Sequence, residues 1–185
     1  TNVKEIPMKI NSGKFKYRKI EVPETTRPTT EKVREAVFSM LIGRVEGATV
    51  LDLFAGSGSL GLEALSRGAE HCVFNEGDRK NYKILKNNVE NCKAEDISSI
   101  YNNDFRKALV LANREFDIIF VDPPYREGYY GEVFELVEEY GLLADDGVVV
   151  IEHLNDNQLS DNVGSFVKTK GKRYGTIAID FFERA

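Results

Sequence analysis

Two short segments of this 185-residue sequence carry most of its chemistry. The first is Asp52-Leu53-Phe54-Ala55-Gly56-Ser57-Gly58-Ser59-Leu60-Gly61, and the second is Asp122-Pro123-Pro124-Tyr125. In the first, Gly56, Gly58 and Gly61 have G-x-G-x-x-G spacing, which lets a backbone turn sharply, approach a ligand closely and enter a helix. Glu76 lies 20 residues beyond Gly56, where a carboxylate accepts hydrogen bonds from ribose hydroxyls. On these features alone an NAD-dependent oxidoreductase is a fair reading. Two others favour S-adenosylmethionine. Asp52 precedes the loop, where a carboxylate is unfavourable beside a pyrophosphate and suits the ammonium of a methionine moiety. Asn103-Asp104-Phe105 offers a carboxylate for an adenine amino group next to an aromatic ring. Each acid also has a structural alternative, Asp52 as a turn cap and Asp104 as a helix N-cap.

The second segment suits methyl transfer to a base. Two prolines after an apolar strand make a rigid turn whose carbonyls are left unpaired. An exocyclic amino group is a poor nucleophile because its lone pair is delocalised into the ring. Asp122 and the Pro123 carbonyl form a pair of acceptors for both of its hydrogens, which localises that lone pair. Tyr125 supplies a face on which an unpaired base stacks. The alternative reading of the tetrapeptide is a structural turn.

The formal net charge is −5. Between Lys9 and Arg34 eight cations face three carboxylates, a local charge of +5, which leaves −10 for residues 35–185. Lys14, Lys16, Arg18 and Lys19 flank Phe15 and Tyr17, a mixture suited to nucleic-acid backbone contact with base stacking. Arg27 and Arg34 stand at the junction with the following helix. The other reading is a solvated charged hairpin. Cys72, Cys92, His71 and His153 lack zinc-site spacing, so neither a metal nor a disulfide framework is expected. No apolar run is long enough for a membrane helix and no signal peptide is visible, so a reduced, cytoplasmic setting is expected. Met8 reads as the natural start.

The elements that must position these residues alternate. Residues 9–22 read as a small β-hairpin turning at Ser12-Gly13, and Pro23–Pro28 as a linker. A helix opens at Pro28-Thr29-Thr30-Glu31, with a Thr able to cap it and Val33, Ala36, Val37, Met40 and Leu41 on one face. Strands are expected at 48–54, 71–76, 97–102, 116–121 and 147–153. Helices are expected at 59–66, 78–91, 106–114 and 130–140, and a terminal hairpin at 166–174 and 176–183. The strand at 116–121 lacks polar alternation and should be buried on both faces. This order implies an α/β fold with a parallel sheet, helices on both faces, and ligands at the carboxyl ends of the strands. Residues 8–26 form the basic arm and 27–185 the domain.

The sequence resembles the class I S-adenosylmethionine-dependent methyltransferases with a D/N-P-P-Y motif. More closely it is similar to the RsmD-like family of bacterial 16S rRNA guanine-N2 methyltransferases. The resemblance rests on Arg27-Pro28-Thr29-Thr30 with Val33-Arg34-Glu35 and Phe38, on Leu51–Gly61, on Leu62–Ala69, and on Asp122–Tyr125. It implies a Rossmann-like sheet of seven strands with the last antiparallel, and a guanine 2-amino group in small-subunit rRNA, free or in an assembly intermediate, as the target. It also implies that Asp52 and Phe54–Gly58 line the methionine end of the cofactor, with Glu76 on the ribose and Asp104 and Phe105 on the adenine. Docking is expected through the arm and a Lys168–Arg173 hairpin tip. A DNA or RNA adenine methyltransferase shares the tetrapeptide, although on DNA it would need a recognition insert for which 185 residues leave no room.

Overall fold

In the computed structural model, which describes residues 8–22, 31–123, 128–155 and 159–185, the chain runs β1 (Met8–Lys9), β2 (Lys19–Ile20), α1 (Glu31–Met40), β3 (Thr49–Asp52), α2 (Ser59–Ser66), β4 (His71–Asn75), α3 (Arg79–Asn91), β5 (Ser98–Tyr101), α4 (Phe105–Ala112), β6 (Phe116–Val121), α5 (Tyr130–Glu139), β7 (Leu143–Leu154), β8 (Asn162–Val163), β9 (Phe166–Tyr174) and β10 (Ile177–Arg184). The main sheet has the order β5-β4-β3-β6-β7-β10-β9-β8. Strands β3 to β7 are mutually parallel where they pair, and β10 is antiparallel to both β7 and β9. The expected seven strands are all present, with the last one antiparallel. The two-residue β8 adds an eighth at the edge beside Phe166 and Val167.

Apolar faces account for this arrangement. One core cluster joins Val33, Val37 and Phe38 of α1 to Leu62 and Leu65 of α2 and Leu85 and Val89 of α3. On the other side, Leu109 of α4 and Val133, Phe134 and Val137 of α5 cover Ile119, Val121 and Val149. Strand β6 is buried except at Asp117, whose exposed carboxylate accepts the Thr49 amide at 2.8 Å. Strand β7 starts four residues earlier than its apolar run. Exposed Asp145 and Asp146 hide that start, and a register shift opposite Phe116 and Ile118 accommodates them. Lys168–Arg173 is no hairpin tip. It lies within β9, and the turn falls at Gly175.

The arm differs most from expectation. Its strands pair at only two positions, Met8 with Ile20 and Lys9 with Lys19, so residues 10–18 form a broad loop rather than a two-residue turn. Met8, Ile10, Phe15 and Ile20 are buried in the α1–α3 core. Gly13, at φ +88°, lies so close to Ser66 that a Cβ would stand 1.9 Å from its carbonyl oxygen. The Lys14 and Phe15 amides donate to Ser66 O and Oγ, both at 2.8 Å. The expected RNA contact at Arg34 is corrected here. Arg34 is 0% exposed, lies 3.4 Å from the equally buried Glu63 and donates to Lys9 O and Asn11 Oδ1. Glu63 also accepts the Asn11 amide at 2.7 Å. This buried pair fastens the arm to α1 and α2. Arg27, the linker and the Thr cap lie outside the described residues.

Removing one partner of a buried ion pair strands the other charge, so Glu63→Ala is expected to lose about 3–5 kcal/mol of unfolding free energy in a denaturant titration. Deleting residues 8–22 should likewise abolish the cooperative transition. A truncated domain that melts like the full chain would contradict this packing.

Candidate functional site

The parallel strands end along one edge in the order β5, β4, β3, β6, β7, and the chain reverses its direction of growth between β3 and β6. Ligands in such sheets sit at that switch point. Asp52 ends β3, Asn75-Glu76 ends β4, Asn103-Asp104 follows β5 and Asp122 follows β6. Topology thus brings every described cofactor and catalytic candidate to one edge. Tyr125, with Pro124, lies outside the described residues.

Side chains weld this edge together. Glu76 accepts the Gly56 amide at 2.7 Å and the Asp78 amide at 3.1 Å, closing the glycine loop onto the turn after β4. Burial raises the Glu76 carboxyl above its usual range, while these amides pull it back. Asp52 is 2% exposed and accepts the Gly61 amide at 3.0 Å, so it tethers the first turn of α2, the structural role its position allowed. Burial pushes its pKa from 3.8 up to about 7, opposed by the Gly61 amide and reinforced by Glu76. Within the loop the glycines differ. Cβ atoms at Gly58 and Gly61 would meet Leu85 at 2.5 Å and Phe74 at 2.3 Å, so these two permit close packing. Gly56, at φ +56°, has nothing within 4 Å of its Cβ position and faces open space. Ser57 and Ala55 are buried beside it.

Phe54, Phe105 and Tyr129 meet above the edge. Phe105 lies 4.7 Å from Tyr129 and 5.3 Å from Phe54, and the Phe54 and Tyr129 planes are within 5°. Asp104 is exposed and caps α4 through the Arg106 amide at 2.9 Å. Arg106 lies over Phe105 and Tyr129 and bonds both carboxylate oxygens of Glu132. Asp122 is half-buried and Pro123 buried. Burial, with Asp122 and Glu152 beside it, holds the Tyr130 phenol above its ordinary range, and its hydroxyl donates to Glu152 O at 3.3 Å.

The arm's cations lie on a segment that packs against α1, α2 and α3. Lys14, Lys16 and Lys19 are exposed and Arg18 donates to Asn91 O at 2.9 Å. Their loop is anchored at Glu63 and Ser66 of α2 and at Asn91 of α3, and Glu21 of the same arm bonds Asn88 beside the glycine loop.

Three residues that sequence reasoning passed over organise the site. Asn75, buried, donates to Leu53 O at 3.4 Å and Asn103 O at 2.9 Å and accepts the Asn103 amide at 3.2 Å, cross-linking three strand ends. Asn88 donates to Glu21 O and Ser57 O, each at 2.8 Å, joining the arm to the glycine loop. It falls on the same helical face as Leu85 and Val89, so a polar residue at an apolar position was the available signal. Tyr130, at the start of α5, gave no sequence signal.

A family model described as Conserved hypothetical protein 95 matches residues 8–183. YlbH of Bacillus subtilis (strain 168) is 40% identical over 182 residues, covering 96% of this chain and 99% of its own. Ribosomal RNA small subunit methyltransferase D of Escherichia coli (strain K12) is 35% identical over 179 residues, covering 96% of this chain and 90% of its own. The solved structure of yhhF from Escherichia coli matches with a TM-score of 0.87 at 36% identity, over 96% of this chain and 97% of that one.

Because the folded state holds the Asp52 proton more tightly than the unfolded chain does, its contribution to stability is full below the ordinary pKa of 3.8 and lost as pH rises through about 7. Asp52→Asn keeps an acceptor for Gly61 and removes the ionisation. The variant should therefore melt above the wild type at pH 8 and close to it at pH 4. Parallel melting curves across that range would refute a raised Asp52.

Proposed function

The chain belongs to the family described as Conserved hypothetical protein 95, and from that membership and the site we propose that it transfers a methyl group from S-adenosylmethionine to the exocyclic 2-amino group of a guanine in 16S rRNA. One observation carries the reading: the glycine loop closed by Glu76 and the Asp122-Pro123 turn flank the same switch point, on the adjacent strands β3 and β6. The methyltransferase relative argues against the nicotinamide reading.

The residues fit the cofactor. The space over Gly56 is open while its neighbours Gly58 and Gly61 are packed, and Glu76 keeps lone pairs beyond those given to backbone amides. Asp52 and Phe54–Gly58 would hold the methionine end, Glu76 the ribose diol, and Asp104 with Phe105 the adenine. Bound S-adenosylmethionine supplies an already activated methyl sulfonium, so what remains for the protein is positioning. Asp122 and the Pro123 carbonyl accept the two amino hydrogens of the guanine and turn its lone pair outward. Asp122, or water, takes the proton that the methylated amine releases. Tyr125 stacks on the base. Lys14, Lys16, Arg18, Lys19 and Arg27 contact the RNA backbone.

Glu76→Ala is expected to weaken S-adenosylmethionine binding by the ~1.5–3 kcal/mol of a hydrogen bond to a charged group. Glu76→Gln, which keeps an acceptor for the Gly56 amide, separates ribose binding from loop support. Calorimetric affinity unchanged in both would remove Glu76 from the cofactor site. Asp122→Ala should bind the cofactor normally and lose most methyl transfer to rRNA. Near wild-type turnover in that variant would overturn the lone-pair role.

A further inference from the structure

The Asp122-Pro123 turn accounts for how an amino group is held, and leaves open which base carries it. Adenine and guanine both offer an exocyclic amino group with two hydrogens. They differ at the ring nitrogen N1, which carries a hydrogen in guanine and is a bare acceptor in adenine. A flipped base is read through hydrogen bonds to this edge. Telling the two apart takes an acceptor beside the amino position, and the strand next to β6 carries one.

That acceptor is Glu152, near the end of β7 and 5% exposed. Strands β6 and β7 are parallel, and Val121 pairs with Ile151, so Asp122 and Glu152 follow as neighbours one strand spacing apart, about 4.8 Å. Alternation sets their faces. Val121 and Ile151 belong to the core under α4 and α5, whereas Phe120, Val150 and Ile179, the residue paired with Glu152, belong to the core under α1 to α3. Asp122 and Glu152 therefore share the second face. Asp52, the candidate for the methionine end, stands on that face too, following Val50 by two residues. Tyr130 supplies a second link. Its hydroxyl donates to Glu152 O at 3.3 Å, and burial, then the charges of Asp122 and Glu152, hold the phenol above its ordinary range. Both carboxylates thus lie around one hydroxyl at the methyl-transfer turn. A carboxylate is costly to bury unless donors meet it, and when ionised it can only accept.

We propose that Glu152 is a specificity-determining residue of this site, its carboxylate accepting the N1 hydrogen of the guanine while Asp122 and the Pro123 carbonyl hold the 2-amino group. The inference rests on the guanine reading above. Adenine in the same place would set the N1 lone pair against the carboxylate, leaving two buried acceptors facing each other. Base choice is thereby separated from methyl transfer: β6 holds the reacting amino group and β7 reads the atom next to it.

The test uses the full chain with S-adenosylmethionine and 16S rRNA, free or in small-subunit particles, in which the mapped target guanine is kept or replaced by 2,6-diaminopurine. That base keeps the 2-amino group but carries a bare N1 and a 6-amino group. The wild type should prefer guanine by roughly 100-fold in kcat/KM, and Glu152→Gln, whose amide can donate to a bare N1, should cut that preference by about tenfold or more. Glu152→Asp, which keeps the carboxylate, should retain a preference for guanine at lower kcat/KM. Each ratio is taken on one enzyme, so its folded fraction cancels, and the intrinsic reactivity of the two bases cancels between enzymes. A general loss of stability would lower both rates and leave the ratio alone. An equal preference in the wild type and Glu152→Gln would overturn the proposal and leave Glu152 a structural carboxylate beside Tyr130. So would a wild type that accepts 2,6-diaminopurine as readily as guanine, a result that needs no variant. Guanine 2-amino methylation with an unchanged ratio overturns this proposal alone, whereas a wild type that methylates no guanine in rRNA overturns the guanine reading and the proposal with it.

Discussion

A parallel sheet stops along one edge, and there the amides of each following loop have no ladder to join. In this protein side chains accept several of these amides. Glu76 takes Gly56 and Asp78, Asp52 takes Gly61, and Asn75 takes Asn103. These bonds tie three loops to one another beside the open space above Gly56. The same burial that makes the bonds effective makes the charges expensive, which is why both acids sit above their ordinary pKa. An asparagine at position 52 would hold the Gly61 amide at no ionisation cost. A carboxylate there makes physical sense if something cationic sits against it, and the ammonium of a methionine moiety is such a group.

A second buried charge decides the fate of the arm. Read as a line of symbols, residues 9–34 are a +5 tail on an acidic body. Folded, the same segment contributes four core side chains and gives Arg34 two acceptors, the Lys9 carbonyl and the Asn11 side chain. Arg34 therefore neutralises Glu63 instead of facing solvent, and Arg18 spends a donor on Asn91 O. Charge counting overstated the free cations because it has no means of telling a guanidinium that closes a core from one that reaches outward.

That failure is general to the parts the sequence did not disclose. Elements governed by apolar periodicity were legible. Helix α2 and strand β6 fall on their expected bounds, and the glycine loop and Asp122 turn occupy adjacent strand ends. The interior roles of Asn75 and Arg34 were hidden for one reason, while Asn88 showed only as a polar residue at an apolar position. A polar side chain whose partners are 20 or more residues away looks like surface in any local window, and only tertiary contacts reveal that it is interior. The early start of β7 was hidden in the same way by Asp145 and Asp146, which point to solvent from a strand that continues past them. The Lys168–Arg173 stretch, expected as a hairpin tip, lies within β9, where Lys170, Lys172 and Arg173 are exposed and Lys168 is half-buried.

The final distribution of charge resolves an apparent conflict between a net acidic chain and a polyanionic partner. Strand order puts Asp52, Glu76 and Asp104 at the ends of β3, β4 and β5, on one side of β6. On the other side, beyond β7, β9 carries Lys168, Lys170, Lys172 and Arg173. A cation is favoured beside those three acids, whereas β9 and β10 mix Lys170, Lys172 and Arg173 with Asp180 and Glu183. The sign of the whole molecule is then a poor guide to its partner. What matters is the sign at each end of the sheet edge, and β6, where the two halves meet, carries the Asp122 turn.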